Sequence, residues 1–135
     1  MTLFYDNRML AERAFIVCAC AARLSCYMEN GKYSAEMREI MTVELISVGT
    51  EILLGNIVNT NAAWLSEQCA RLGLSCYYQS VVGDNAVRLK EQIQQALNRS
   101  DIVILTGGLG PTTDDLTKET AAQLMGKGLV MDMHS

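Results

Sequence analysis

Ile102-Val103-Ile104-Leu105-Thr106-Gly107-Gly108-Leu109-Gly110-Pro111-Thr112-Thr113-Asp114-Asp115 is the stretch on which the fold turns. Its first four residues are apolar and mostly β-branched, with no polar alternation. A strand of that kind is buried on both faces, as in a parallel sheet covered by helices. Three glycines within four residues then break the strand, and a polar segment leads into a helix from about Leu116 to Met125, stopped by Gly126. Glycines at a strand-to-helix turn let backbone N–H groups converge on one point, and the helix behind them adds partial positive charge. That suits a phosphate or pyrophosphate. It equally suits a tight connection with nothing bound. The loop is neither a G-x-G-x-x-G dinucleotide fingerprint nor a Walker A loop, because the third glycine of the one and the Gly-Lys-Ser/Thr of the other are missing.

The same grammar extends backwards to Met41. Val43–Val48 reads as a first strand and Thr50–Val58 as a connecting loop. Asn59 or Thr60 caps a helix with Ala62, Leu65, Cys69 and Leu72 on one stripe, and Gly73 ends it. Ser75–Val82 reads as a second strand and Gly83-Asp84-Asn85 as a turn. A second helix follows, with Ala86, Leu89, Ile93 and Leu97 on one face. The order β-α-β-α-β-α with right-handed crossovers predicts an α/β fold with a doubly wound, mostly parallel three-layer sheet. Ligands bind such sheets at the carboxyl ends of the strands. The loops at Gly49–Gly55, Gly83–Asn85 and Gly107–Asp115 all fall there. Gly128-Leu129-Val130-Met131 reads as the start of another element, so the sheet is expected to be incomplete at its C-terminal end.

Candidate ligand groups are Gly49, Thr50, Glu51, Asn59 and Asn61 from the first loop, and Gly107, Gly108, Gly110 and Thr112 from the third. Thr50, Asn59, Asn61 and Thr112 offer neutral hydrogen bonds to a sugar or pterin, or serve as turns and caps. Asp114 and Asp115 could hold a divalent cation beside a bound phosphate, or cap the following helix. Glu51 and Asp84 on the same edge strengthen the metal alternative. Trp64 is expected to pack, and Tyr77 and Tyr78 to face opposite sides of their strand. The only histidine is His134, so a triad in the core is not available.

Totals narrow the classes further. The chain has 135 residues, half of them hydrophobic, which is enough for one domain. Net charge is −4 with 11 basic side chains and no basic run, which argues against nucleic acid. Five cysteines (Cys18, Cys20, Cys26, Cys69 and Cys76) form no C-x-x-C pair, so a reducing cytoplasm is expected. The apolar run Ala14–Ala22 is too short to span a bilayer and reads as a buried helix or as no regular structure. Residues 1–40 lack periodic order, and the domain is expected to occupy 41–135, with translation possible from Met41.

Three blocks carry a family resemblance: Val48-Gly49-Thr50-Glu51-Ile52-Leu53-Leu54-Gly55-Asn56-Ile57-Val58-Asn59-Thr60-Asn61, then Val81-Val82-Gly83-Asp84-Asn85, then Thr106 to Thr117. In order and spacing they closely resemble the N-terminal domain of the CinA (competence/damage-inducible) family, part of the wider molybdopterin-binding group of MoaB and MogA. Leu109 follows the CinA branch, where the other branch has threonine. The resemblance implies that the glycine loop cradles a phosphorylated small molecule of the ADP-ribose or molybdopterin type. It also implies that Asp84 and Asp115 are functional aspartates and metal ligands, with Asp114 beside them. The activity implied is metal-dependent pyrophosphate hydrolysis. A non-catalytic binding module and an inactive fragment of a truncated gene are the alternatives. The resemblance includes none of the C-terminal nicotinamide-nucleotide amidase domain of full CinA proteins, and leaves room for a homo-oligomer of the complete protein.

Overall fold

The computed structural model describes residues 2–4, 14–18, 41–110 and 116–126. Among the described residues nine elements follow one another: β1 (Thr2–Phe4), β2 (Ala14–Cys18), β3 (Thr42–Val48), α1 (Thr50–Leu53), α2 (Thr60–Arg71), β4 (Ser75–Val82), α3 (Ala86–Arg99), β5 (Ile102–Thr106) and α4 (Thr117–Leu124). They build one sheet of order β1-β2-β5-β3-β4. β3 pairs in parallel with both β4 and β5, which gives the expected parallel core. All five residues of β5 are buried, as an uninterrupted apolar strand requires.

Helices cover both faces. Leu65 and Cys69 of α2 pack with Val43, Leu45, Ile102 and Ile104 on one face. Leu89, Ile93 and Ala96 of α3 and Ala121 of α4 pack with Ile46, Val48, Val103 and Leu105 on the other. Alternate residues of β3 and β5 therefore feed two separate cores, and the fold is a three-layer α/β sandwich. Each fully buried Leu or Val contributes ~1.5–3 kcal/mol. Asn59 caps α2 by accepting from the Ala62 N–H at 3.2 Å, and Asn85 caps α3 by accepting from Arg88 at 3.0 Å. Gly73 and Gly126 end their helices at φ 73° and 61°.

Burial also places a charge inside. Glu44 of β3 is fully buried, and its carboxylate accepts from Arg99 Nε at 2.9 Å and Nη2 at 2.7 Å and from Ser100 Oγ at 3.3 Å. The same guanidinium lies 3.9 Å from the centre of the Tyr78 ring. Glu44 thus ties β3 to the end of α3 and to β4.

Several expectations are corrected. The connecting loop holds a short helical turn, α1, because Thr50 anchors its start. Leu72 is the last residue of its stripe and sits at the helix end, where it is exposed; Ala86 is exposed as well, and Ala96 takes the buried place on α3. Trp64 is 48% exposed, since it projects from α2 away from the stripe that meets the sheet. The Ala14–Ala22 run contributes a strand over Ala14–Cys18 in place of a helix. Phe15, Ile16 and Val17 favour extended backbone, and the outer edge of β5 supplies partners for it.

Candidate functional site

The chain leaves β3 toward β4 on one side and returns to β5 on the other. The carboxyl ends of β3 and β5 therefore form a topological switch point, where the connections diverge and leave a crevice. Two of the three expected loops open directly onto it, from Gly49 and from Gly107.

The glycine turn is shaped by its surroundings. Gly107 and Gly108 have φ of 89° and 60°, a region that side chains disfavour. A Cβ at Gly107 would fall within the carbonyl oxygen of Val48, the last residue of β3. A Cβ at Gly108 would lie 2.5 Å from Thr117 Oγ1. Thr117 locks the turn onto α4: its hydroxyl donates to the Gly107 carbonyl at 2.8 Å and its N–H to the Gly108 carbonyl at 3.2 Å. The carbonyls are thereby satisfied inside the protein. The N–H groups of Gly108, Leu109 and Gly110 have no acceptor among the described residues, and these residues are half-buried at the surface. A turn with its carbonyls tied back and its donors unspent is equipped to receive an anion.

Asp84 binds the first two loops together. Its Oδ2 accepts from the Thr50 N–H at 3.1 Å and the Thr50 hydroxyl at 2.9 Å, while the Asp84 N–H donates to Thr50 Oγ1 at 3.1 Å. Both residues are exposed. The Glu51 carboxylate folds back beside Gly49, within 3 Å of where a Cβ there would stand. Asn59 also donates to Ser47 Oγ at 2.9 Å, and Asn61 donates to Thr106 Oγ1 at 3.2 Å. These two amides join the ends of β3 and β5 to α2, so their side chains hold the crevice floor in place. Ser47 and Thr106, each buried near a strand end, and Thr117 were not singled out as site-forming residues by sequence reasoning. A polar residue closing an otherwise apolar strand was the signal available for Thr106; Ser47 stands one residue before the end of β3.

Thr112, Asp114 and Asp115 lie outside the described residues, as does the possible reading of Gly128–Met131 as a further element. Among the described residues no group of three or more His, Cys, Asp and Glu gathers to hold a metal ion. Of the carboxylates expected at a cation site, Asp84 has one oxygen committed to Thr50, and Asp114 and Asp115 fall outside the described residues. Cys69 and Cys76 are free. Burial, then the neighbouring Cys76, pushes the Cys69 thiol up to about 11, which marks it as packing and not as a nucleophile. Among the described residues no helix is long and apolar enough to cross a membrane.

A parallel α/β sheet with a glycine turn at its switch point defines a class of nucleotide- and cofactor-binding domains. A family model described as a probable molybdopterin binding domain matches residues 44–135, and the chain belongs to that family. Among curated proteins it is similar to competence-damage inducible proteins. The one from Symbiobacterium thermophilum is 59% identical over 92 residues, covering 68% of this chain and 22% of the relative. That from Streptococcus pneumoniae (strain Hungary19A-6) is 60% identical over 92 residues, with the same coverage. The chain thus spans about a fifth of the length of these relatives. Among solved structures, the protein CinA from Thermoplasma acidophilum superposes with a TM-score of 0.63 at 40% identity, over 67% of this chain and 54% of that one.

Proposed function

We propose that the crevice between β3 and β5 binds a phosphorylated, nucleotide-like small molecule of the ADP-ribose or molybdopterin type, with its phosphate on the N–H groups of Gly108, Leu109 and Gly110. The observation that carries this reading is the glycine turn itself: Thr117 takes up the carbonyls of Gly107 and Gly108, while the N–H groups of Gly108, Leu109 and Gly110 have no acceptor among the described residues. Backbone donors suit a chain of net charge −4, because they attract an anion without a basic surface. Thr50 and Asp84 stand beside the crevice, where the Asp84 carboxylate would accept from a sugar hydroxyl.

Hydrolysis of a pyrophosphate with a divalent cation is the finer reading. Asp84 would be one metal ligand and Asp115 the other, with Asp114 beside it, and the cation would polarise a phosphoryl oxygen. A non-catalytic binding module is the second reading, because a phosphate held on the glycine turn needs no carboxylate. Calorimetry with ADP-ribose, paired with product analysis in manganese and in chelator, separates the two. Asp84→Asn retains an oxygen that can accept from Thr50, so the loop tie persists. The hydrolytic reading expects that variant to lose activity by about a hundredfold or more and the chelator to stop turnover. Binding without turnover in either condition would leave the module, and absence of binding would remove both.

A further inference from the structure

We propose that Thr50 is a positioning residue for Asp84: its hydroxyl takes up one carboxylate oxygen and leaves the other, Oδ1, to accept from a sugar hydroxyl of the ligand. The inference rests on the binding reading above and names the part of the ligand that meets this corner of the crevice. Three hydrogen bonds make the clamp. Asp84 Oδ2 accepts from the Thr50 N–H at 3.1 Å and from the Thr50 hydroxyl at 2.9 Å, and the Asp84 N–H donates back to Thr50 Oγ1 at 3.1 Å. A threonine hydroxyl carries one proton, and here that proton is spent on Asp84. Thr50 thereby acts on a ligand through Asp84 and not by donating to it. Asp84 Oδ1 has no partner among the described residues. A carboxylate held by two donors on one oxygen does not turn freely, so its remaining acceptor keeps one orientation.

The clamp is joined to the glycine turn through the end of β3. The Gly49 N–H donates to the Val82 carbonyl at 2.9 Å, and Gly107 packs against the Val48 carbonyl. Gly83 makes room for the threonine, since a Cβ there would stand 3.3 Å from Thr50 Oγ1. Gly107 and Asp84 follow the ends of β5 and β4, which lie two strand spacings apart, about 10 Å. A sugar joined to a phosphate bridges that span, and a phosphate alone does not. The opposite end of the sheet carries the same clamp. Asp101 Oδ2 accepts from the Thr42 N–H at 3.0 Å and from the Thr42 hydroxyl at 3.2 Å, and the Asp101 N–H donates to Thr42 Oγ1 at 3.2 Å. Thr42→Val therefore removes an equivalent hydroxyl away from the crevice.

Calorimetry on the whole chain with ADP-ribose and with inorganic pyrophosphate, both in chelator, tests the assignment. Thr50→Val keeps the N–H and the shape of the side chain and loses the hydroxyl. It is expected to weaken ADP-ribose binding by about tenfold and pyrophosphate binding far less, because pyrophosphate has no sugar hydroxyl to meet Asp84. Thr50→Ser restores the hydroxyl and should bind ADP-ribose nearly as the native chain does, as should Thr42→Val. Three results would overturn the proposal and leave the phosphate reading standing: Thr50→Val that binds ADP-ribose as well as the native chain, Thr50→Val that weakens both ligands equally, or Thr50→Ser that binds as poorly as Thr50→Val. A native chain that binds pyrophosphate but not ADP-ribose would likewise remove the sugar contact. A native chain that binds neither would remove the phosphate reading and this assignment together.

Discussion

Glu44 and Arg99 show how a single charge can be retained in an apolar sheet. The carboxylate is fully buried, while 41% of the arginine side chain remains exposed. The pair is bidentate, and Ser100 adds a third donor, so the carboxylate is satisfied without solvent. Removing one partner leaves the other's desolvation uncompensated, whereas replacing both with apolar groups of similar shape does not. Arg99→Met alone is therefore expected to lower the melting temperature clearly, and the double variant Glu44→Leu/Arg99→Met to recover much of the loss. Thermal melts of the two variants check this; equal losses would show that the pairing matters less than the volume it fills. The sequence gives little notice of this pair. Glu44 interrupts an apolar strand 55 residues before Arg99, and only the packing of α3 over β3 brings them together.

At the scale of elements, the glycine turn between β5 and α4 depends on two separate constraints. Positive φ asks for glycine at Gly107 and Gly108, and close approach to Val48 and Thr117 leaves no room for a side chain. Gly55 has a similar φ of 74° with open space around it. Gly55→Ala should then cost only backbone strain, ~1–3 kcal/mol. Gly107→Ala adds a clash with the backbone of β3 and should cost more than that, which chemical denaturation of both variants would measure. The elements themselves were legible in advance. Apolar runs for the strands, apolar residues at period 3.6 for the helices and the caps Asn59 and Asn85 are local signals, and the structure keeps the elements they mark. The short turn α1 was not legible, because Thr50 starts it through Asp84, 34 residues away. Strand β2 was not legible either, since five apolar residues take their conformation from the edge that receives them.

For the whole molecule, the path of the chain through the sheet makes the crevice. β3 lies between β4 and β5, these neighbours are reached in opposite directions, and the loops leaving β3 and β5 open on the same edge. Its location could be read from the β-α order alone, since three polar loops had to fall on one edge. Its chemistry was readable in part. The glycines and Asp84 announced themselves, but Thr117 claiming the carbonyls of Gly107 and Gly108, a contact across the turn, did not. The central claim is that the N–H groups of Gly108, Leu109 and Gly110 receive a phosphate. Backbone amide shifts recorded by NMR during titration with ADP-ribose test it most directly, without any substitution that strains the turn. The account predicts saturable shifts largest at Gly108, Leu109 and Gly110, with smaller ones at Thr50 and Asp84. Saturable shifts confined to other parts of the chain, with those three amides unmoved, would contradict it.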